Sequence, residues 1–187
     1  MNILYIHGFK SHFKEKSDKV KALNQIGKVF GLTLDYTKTF GEIKETLLKF
    51  TLDKNIELIV GTSLGGYYSA IIGASTSIPF VAINPVLDPV LSLSKYIGDG
   101  FTFTGDTYTL KKETITAYPD FPTKGCGFIL LDRGDDLIDS EKTLASLKKY
   151  FGTKIFEGGN HRFEHINESL REIDSFFNRS IVYGGGS

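Results

Sequence analysis

The amino-acid sequence predicts a single-domain, doubly wound α/β fold on a mostly parallel sheet of six strands. Three observations carry that reading. Short apolar runs alternate with helix-length amphipathic stretches along the whole chain. The runs are apolar at consecutive positions, as strands buried on both faces require. At 187 residues, of which 41% are hydrophobic, the chain can bury one sizeable core.

The elements follow in order. Ile3-Leu4-Tyr5-Ile6 is the first strand, ended by His7-Gly8-Phe9. Ser17-Asp18 offers a helix start, and Val20, Leu23, Ile26 and Phe30 recur at helical spacing up to Gly31. The stretch 32–36 reads as the second strand. A helix with Ile43, Leu47, Leu48 and Thr51 near one face leads to the turn Asp53-Lys54-Asn55, and Glu57-Leu58-Ile59-Val60 is the third strand. A helix-compatible stretch over 67–74 precedes a fourth strand at 79–83, closed by Asn84-Pro85. Residues 86–122 are the least regular part. They open with a helix near 90–96, after which Gly98, Gly100 and Gly105 break any long element while Phe101, Phe103 and Tyr108 alternate as in a short hairpin. That segment suits a short lid-like insertion and is too small for a full cap domain. A fifth strand at 127–131, a helix at 141–151, a sixth strand at 154–156 and a last helix at 163–177 complete the domain, which is expected to span 1–178. Residues 179–187, ending Gly184-Gly185-Gly186-Ser187, have the composition of a flexible tail or fusion scar.

Composition excludes several function classes. Lys+Arg 22 balances Asp+Glu 22, with no long run of one sign, so a nucleic-acid or anionic-membrane partner is not indicated. No apolar stretch reaches the length of a membrane span. The single Cys126 cannot form an internal disulfide, and no leader-type segment precedes the first strand; cytoplasmic residence is the expectation.

The chemistry centres on Gly61-Thr62-Ser63-Leu64-Gly65-Gly66, between a strand and a helix. Gly-x-Ser-x-Gly in that context is the nucleophile-elbow pattern: a sharp turn leaves no room for Cβ atoms two residues either side of the serine. Alone, the pattern also fits a tight turn with a solvated serine. A serine nucleophile needs a base and an acid that orients the base. His161, in Gly158-Gly159-Asn160-His161 after the last strand, is placed to be the base. The acid should follow the fifth strand, where Asp132, Asp135, Asp136 and Asp139 lie. Asp132 belongs to the strand end and Asp139 fits an N-cap, so Asp135, directly after Gly134, is the first choice and Asp136 its main competitor. The oxyanion donors should be the backbone N–H groups of Leu64 and Phe9, with His7 shaping the loop between strand and donor. His165, four residues beyond His161, invites a metal reading, but the pattern lacks the Glu and third ligand of such sites, and His165 is expected to be solvated. His12 is expected at the surface. No cofactor or metal is needed for this chemistry.

With these residues placed, the sequence resembles the α/β-hydrolases, and more closely the YqiA-type family of small esterases. The resemblance runs from about Ile3 to Phe177. It is carried by Ile3-Leu4-Tyr5-Ile6-His7-Gly8-Phe9 with Ser11, the elbow with Tyr67-Tyr68, Ile83-Asn84-Pro85 with Pro89, Thr104-Gly105 with Tyr108, Gly134-Asp135 with Asp139, and Gly158-Gly159-Asn160-His161 with Phe163. Family members often carry Glu where this chain has Asp136. The resemblance implies carboxylic ester hydrolysis with Ser63, Asp135 and His161 as nucleophile, acid and base. The expected substrate is a small-molecule ester with a small to medium acyl group. Phe101, Phe103, Tyr108 and Tyr118 either line an acyl pocket or pack on the sheet edge. An acyl-CoA thioesterase and a non-catalytic hydrolase-fold binding protein are the alternatives; peptide hydrolysis is disfavoured by the lack of an extended peptide-binding domain.

Overall fold

The computed structural model describes residues 1–184. Its main sheet is formed by β1 (Asn2–Ile6), β2 (Lys28–Phe30), β3 (Leu58–Thr62), β4 (Phe80–Ile83), β7 (Gly127–Asp132) and β8 (Gly152–Phe156), in the order β2-β1-β3-β4-β7-β8. Every neighbouring pair is parallel. The consecutive apolar positions divide between two cores by the period of two that a strand imposes. Leu4, Ile6, Ile59, Phe80, Ala82, Ile129 and Leu131 face one core, with side chains of α2 (Phe40–Asp53), α3 (Leu64–Thr76) and α6 (Ser140–Leu147). Ile3, Tyr5, Leu58, Val60, Val81, Ile83, Phe128 and Leu130 face the other, with α1 (Asp18–Leu23) and α7 (Ile166–Gly184). The chain leaves β1 toward β2 and returns to place β3 on the other side of β1. The carboxyl ends of β1 and β3 therefore flank the switch point where α/β sheets hold ligands.

The insertion between β4 and β7 is small. It holds α4 (Pro89–Ser94), the antiparallel hairpin β5 (Gly98–Phe101) and β6 (Thr107–Leu110), and the four-residue α5 (Lys112–Ile115), which the sequence reading lacked. The elements here stay short and pair as the hairpin expected from the alternation of Phe101, Phe103 and Tyr108, with Gly98 and Gly100 in its first strand. Asp88 caps α4 by accepting the Leu91 N–H at 2.9 Å, with Pro89 at the first helical position.

Three boundaries differ from expectation. The helix expected from Ser17 to Gly31 ends at Leu23, and the second strand is Lys28–Phe30, not 32–36. The Asn24 carboxamide oxygen accepts the Val29 N–H at 3.0 Å and the Lys28 N–H bonds the Met1 carbonyl at 2.9 Å. Of the apolar positions at helical spacing beyond Leu23, Ile26 thus lies in a turn and Phe30 in a short edge strand. In 32–36 the Leu34 N–H goes to the His7 ring, so that segment makes no ladder there although Leu34 and Tyr36 are buried. The last helix starts at Ile166, not Phe163, because Phe163 adopts φ +62° in a turn closed by its N–H on the Asn160 carbonyl. That helix continues to Gly184, through the first six residues of the stretch expected as a tail; residues 185–187 lie outside the described residues. Among the described residues no helix is long and apolar enough to cross a membrane.

Candidate active site

β3 ends at Thr62 and α3 begins at Leu64, so Ser63 takes the whole turn by itself. Its backbone sits at φ +59°, ψ −122°, a conformation that costs a side-chain-bearing residue about 1–3 kcal/mol. Sterics explain the flanking glycines. A Cβ on Gly61 would lie 1.9 Å from the Gly65 carbonyl oxygen, and one on Gly65 would lie 2.1 Å from that of Ile6. The turn can therefore press against β1, which brings Gly8 beside Ser63.

The loops after β7 and β8 supply the partners. The His161 Nε2 is 2.9 Å from Ser63 Oγ, and its Nδ1 lies 2.8 Å and 3.0 Å from the two Asp135 carboxylate oxygens. A carboxylate only accepts, so Nδ1 carries the proton and Nε2 is free to take the serine proton. Asp135 Oδ1 also accepts the N–H groups of Leu137 and Ile138, at 2.8 Å and 2.9 Å. Its side chain is 1% exposed and that of His161 20%, which removes solvent from the acid while leaving the imidazole reachable. Asp136 is exposed, and Asp139 caps α6 by accepting the Lys142 N–H at 3.0 Å.

A second buried acid holds the histidine loop. Asp132, the last residue of β7, is fully buried, and its Oδ2 accepts the N–H groups of Asn160 and Glu164 at 3.2 Å and 2.9 Å. Its Oδ1 accepts from His165 Nδ1 at 2.7 Å. His165 is thus not a free, solvated side chain: it bonds Asp132 and stacks on Phe156, centroids 5.0 Å apart and planes 10° from parallel. Asn84, buried and at φ +41°, donates to the carbonyls of Asn160 and His161 at 3.1 Å and 3.4 Å and accepts the Asp132 N–H at 2.9 Å. The peptide groups around His161 are held from both sides. The sequence gives Asp132, His165 and Asn84 as strand-end, solvated and turn residues and does not show that they join; the one available signal is an acid closing an otherwise apolar strand.

The loop after β1 is fixed by His7. Leu34 N–H donates to His7 Nε2 at 2.9 Å, so the ring proton is on Nδ1, which donates to the Gly8 carbonyl at 2.8 Å. Tyr36 donates its hydroxyl proton to the His7 carbonyl. Burial pulls the His7 pKa down to about 4, against the Gly8 hydrogen bond, which raises it. His7 is therefore neutral and structural, and it sets the course of Gly8-Phe9 past Ser63. Leu64 opens α3, where a helix leaves backbone N–H groups without intrahelical partners.

A cavity of about 780 Å³ opens over these groups, lined by Phe9, Ser63, Leu64, Val86, Leu93 and His161 among others. Of the four aromatic residues considered for an acyl pocket, only Phe103 lines it. Phe101 is exposed, Tyr108 packs edge-on against Phe9 at 5.4 Å, and Tyr118 is buried against Tyr67 and Tyr68 with the Tyr68 hydroxyl 3.1 Å from its own. His12, expected at the surface, lines the cavity. Among the described residues no three His, Cys, Asp or Glu side chains converge as metal ligands.

Residues 2–178 match the model of the "Uncharacterised protein family (UPF0227)". The chain belongs to UPF0227. The UPF0227 proteins YcfP of Salmonella arizonae and Salmonella enteritidis are each 27% identical to it over 181 residues, 93% of this chain and 97% of theirs. Among solved structures, Est1E from Butyrivibrio proteoclasticus superposes with a TM-score of 0.72 at 17% identity, covering 97% of this chain and 88% of Est1E. The monoacylglycerol lipase of Paleococcus ferrophilus superposes with a TM-score of 0.66 at 14% identity, covering 94% and 93%. At those identities the likeness is one of fold, and the fold is that of the α/β-hydrolases.

Proposed function

We propose that this UPF0227 chain is a serine carboxylesterase that cleaves small to medium acyl esters through an acyl-enzyme. The observation that carries the reading is the unbroken relay from Asp135 through His161 to Ser63, with contacts of 2.8 Å and 2.9 Å, opening into one cavity. In the first step Ser63 Oγ attacks the ester carbonyl while His161 Nε2 takes the hydroxyl proton. Asp135 holds the imidazole in the required tautomer and stabilises the imidazolium. The tetrahedral oxyanion is received by the N–H groups of Leu64 and Phe9, each worth about 3 kcal/mol in comparable sites. The imidazolium returns its proton to the departing alcohol, leaving an ester on Ser63. Water, deprotonated by the same Nε2, then releases the acid and restores the serine. The esterase and lipase names of the structural neighbours agree with this reading.

The experiment is hydrolysis of p-nitrophenyl esters of increasing acyl length by wild type, Ser63→Ala, Asp135→Asn and Asp136→Asn. Turnover that vanishes without Ser63, collapses in Asp135→Asn and survives in Asp136→Asn supports the assignment. Activity that persists in Ser63→Ala overturns it.

A further inference from the structure

The chain as a whole is neutral, yet the cavity wall is not. Lys10, Lys14, Lys19, Lys95 and Arg162 line it, together with His12, against the two acids Asp18 and Glu164. Glu164 accepts from the Asn160 side chain at 2.5 Å, and Asp18, exposed and 4.0 Å from Lys21, offsets only part of the positive charge at Lys19. Among the described residues, ion pairs engage the N-terminus, Lys21, Arg133, Lys142, Lys154, His161 and His165, and none engages the five cavity cations.

Two of these charges are held in place beside the reaction centre. Lys10 directly follows Phe9, its backbone at φ +62° and its carbonyl accepting the Phe103 N–H of the hairpin at 2.9 Å. Its ammonium lies 5.4 Å from the centroids of both Tyr96 and Phe103, and Lys95 lies 5.2 Å from Tyr96, so two cations share one ring. On α1 and the loop after β8, Lys19 and Arg162 form a second group. Lys19 is half-buried, and burial followed by the Arg162 charge draws its pKa below the ordinary lysine value, with Asp132 and Asp18 only partly offsetting them. Five cations against two acids in the wall of a concave, partly apolar site leave an excess of positive charge, which raises the local concentration of anions.

We propose that the cavity selects esters or thioesters bearing an anionic oxygen group, phosphate or carboxylate, away from the scissile carbonyl. Lys19 with Arg162, and Lys10 with Lys95, are its specificity-determining residues. The inference rests on the ester-hydrolase reading of the same cavity. Phosphate on the leaving group and carboxylate on the acyl part share this chemistry, and matched substrates separate them.

The test compares kcat/KM at low salt for 1-butyrylglycerol 3-phosphate against monobutyrylglycerol, and for p-nitrophenyl hemiglutarate against p-nitrophenyl pentanoate. In parallel, glycerol 3-phosphate is titrated calorimetrically into wild type and Ser63→Ala, with glycerol as the control. A preference of about tenfold or more for either anionic member is expected, falling as salt rises. The preferred pair tells whether the charge sits on the leaving or the acyl side. Lys19→Met with Arg162→Met, and separately Lys10→Gln with Lys95→Gln, should reduce the anionic-to-neutral ratio. Neutral esters turned over with ratios within twofold of one, and no heat from glycerol 3-phosphate, overturn the inference and leave the esterase reading standing. Saturable glycerol 3-phosphate binding lost in Lys19→Met with Arg162→Met, in a protein that turns over no ester, supports the anion site and overturns the esterase reading instead.

Discussion

Acid should loosen this protein through one buried ring. His7 is neutral because burial favours the uncharged form and because its Nε2 already accepts the Leu34 N–H. Protonating Nε2 would set two donors 2.9 Å apart inside the core. The folded-state pKa of about 4 lies below the reference of about 6.5, so between those values the unfolded chain binds more protons and stability falls with falling pH. At neutral pH neither state is protonated and nothing is lost. Below about pH 4 both are protonated, and the full difference, about 3 kcal/mol, is gone. That is a large share of a typical folding free energy of about 5–15 kcal/mol. Carboxylates titrate in the same range, so the assay needs a reference: urea unfolding of wild type and His7→Gln, whose amide oxygen can still accept from Leu34, at several pH values from 7.5 to 4. The wild type should lose about 3 kcal/mol relative to the variant, mostly between pH 6.5 and 4. Stability curves that run parallel within about 1 kcal/mol would refute the buried neutral histidine and the anchoring of the Phe9 loop that depends on it.

Three further outcomes follow from particular contacts. Asp132→Ala removes the acceptor of two N–H groups and of His165; kcat for p-nitrophenyl butyrate should fall about 100-fold, because a drift of His161 by about 1 Å costs that much, and initial rates at saturation measure it. Gly65→Ala drives a Cβ into the Ile6 carbonyl, with backbone on both sides and no side chain able to yield; a loss of more than about 3 kcal/mol, or no folded protein, is expected by chemical denaturation. Tyr118→Phe leaves the buried Tyr68 hydroxyl without its partner, for a loss of about 1–3 kcal/mol read from the thermal midpoint.

What the sequence disclosed and what it hid divide by distance along the chain. Ser63, Asp135 and His161, which the fold brings within hydrogen-bonding distance, each sit in a local signal: an elbow, a Gly-Asp after a buried strand, a Gly-Gly-Asn-His after the next. The strands β1, β3, β4 and β7 were legible because strands covered on both faces are apolar at consecutive positions. The segment 24–36 was not, since Ile26, Val29 and Phe30 satisfy a helix and an edge strand equally, and the choice was made by bonds to Asn24 and Met1. The clamp of Asn84, Asp132 and His165 joins three loops, and no local pattern marks a carboxylate whose partners lie about thirty residues away. The cavity wall was hidden for the same reason. Tyr118 is buried among aromatic rings and Tyr108 packs on Phe9, while Lys19 of α1, Lys10 after β1 and Lys95 after α4, unremarkable in sequence, line the cavity that Ser63 opens into.

The central claim is that His161 and Asp135 make Ser63 a nucleophile. The most direct test is reaction of the folded protein with a fluorophosphonate, followed by peptide mass spectrometry, on wild type and His161→Ala. The account predicts one phosphonyl adduct, on Ser63, formed at least about a thousand times more slowly without His161. Absence of an adduct on Ser63 in the wild type, or equal labelling rates in the two proteins, would contradict it.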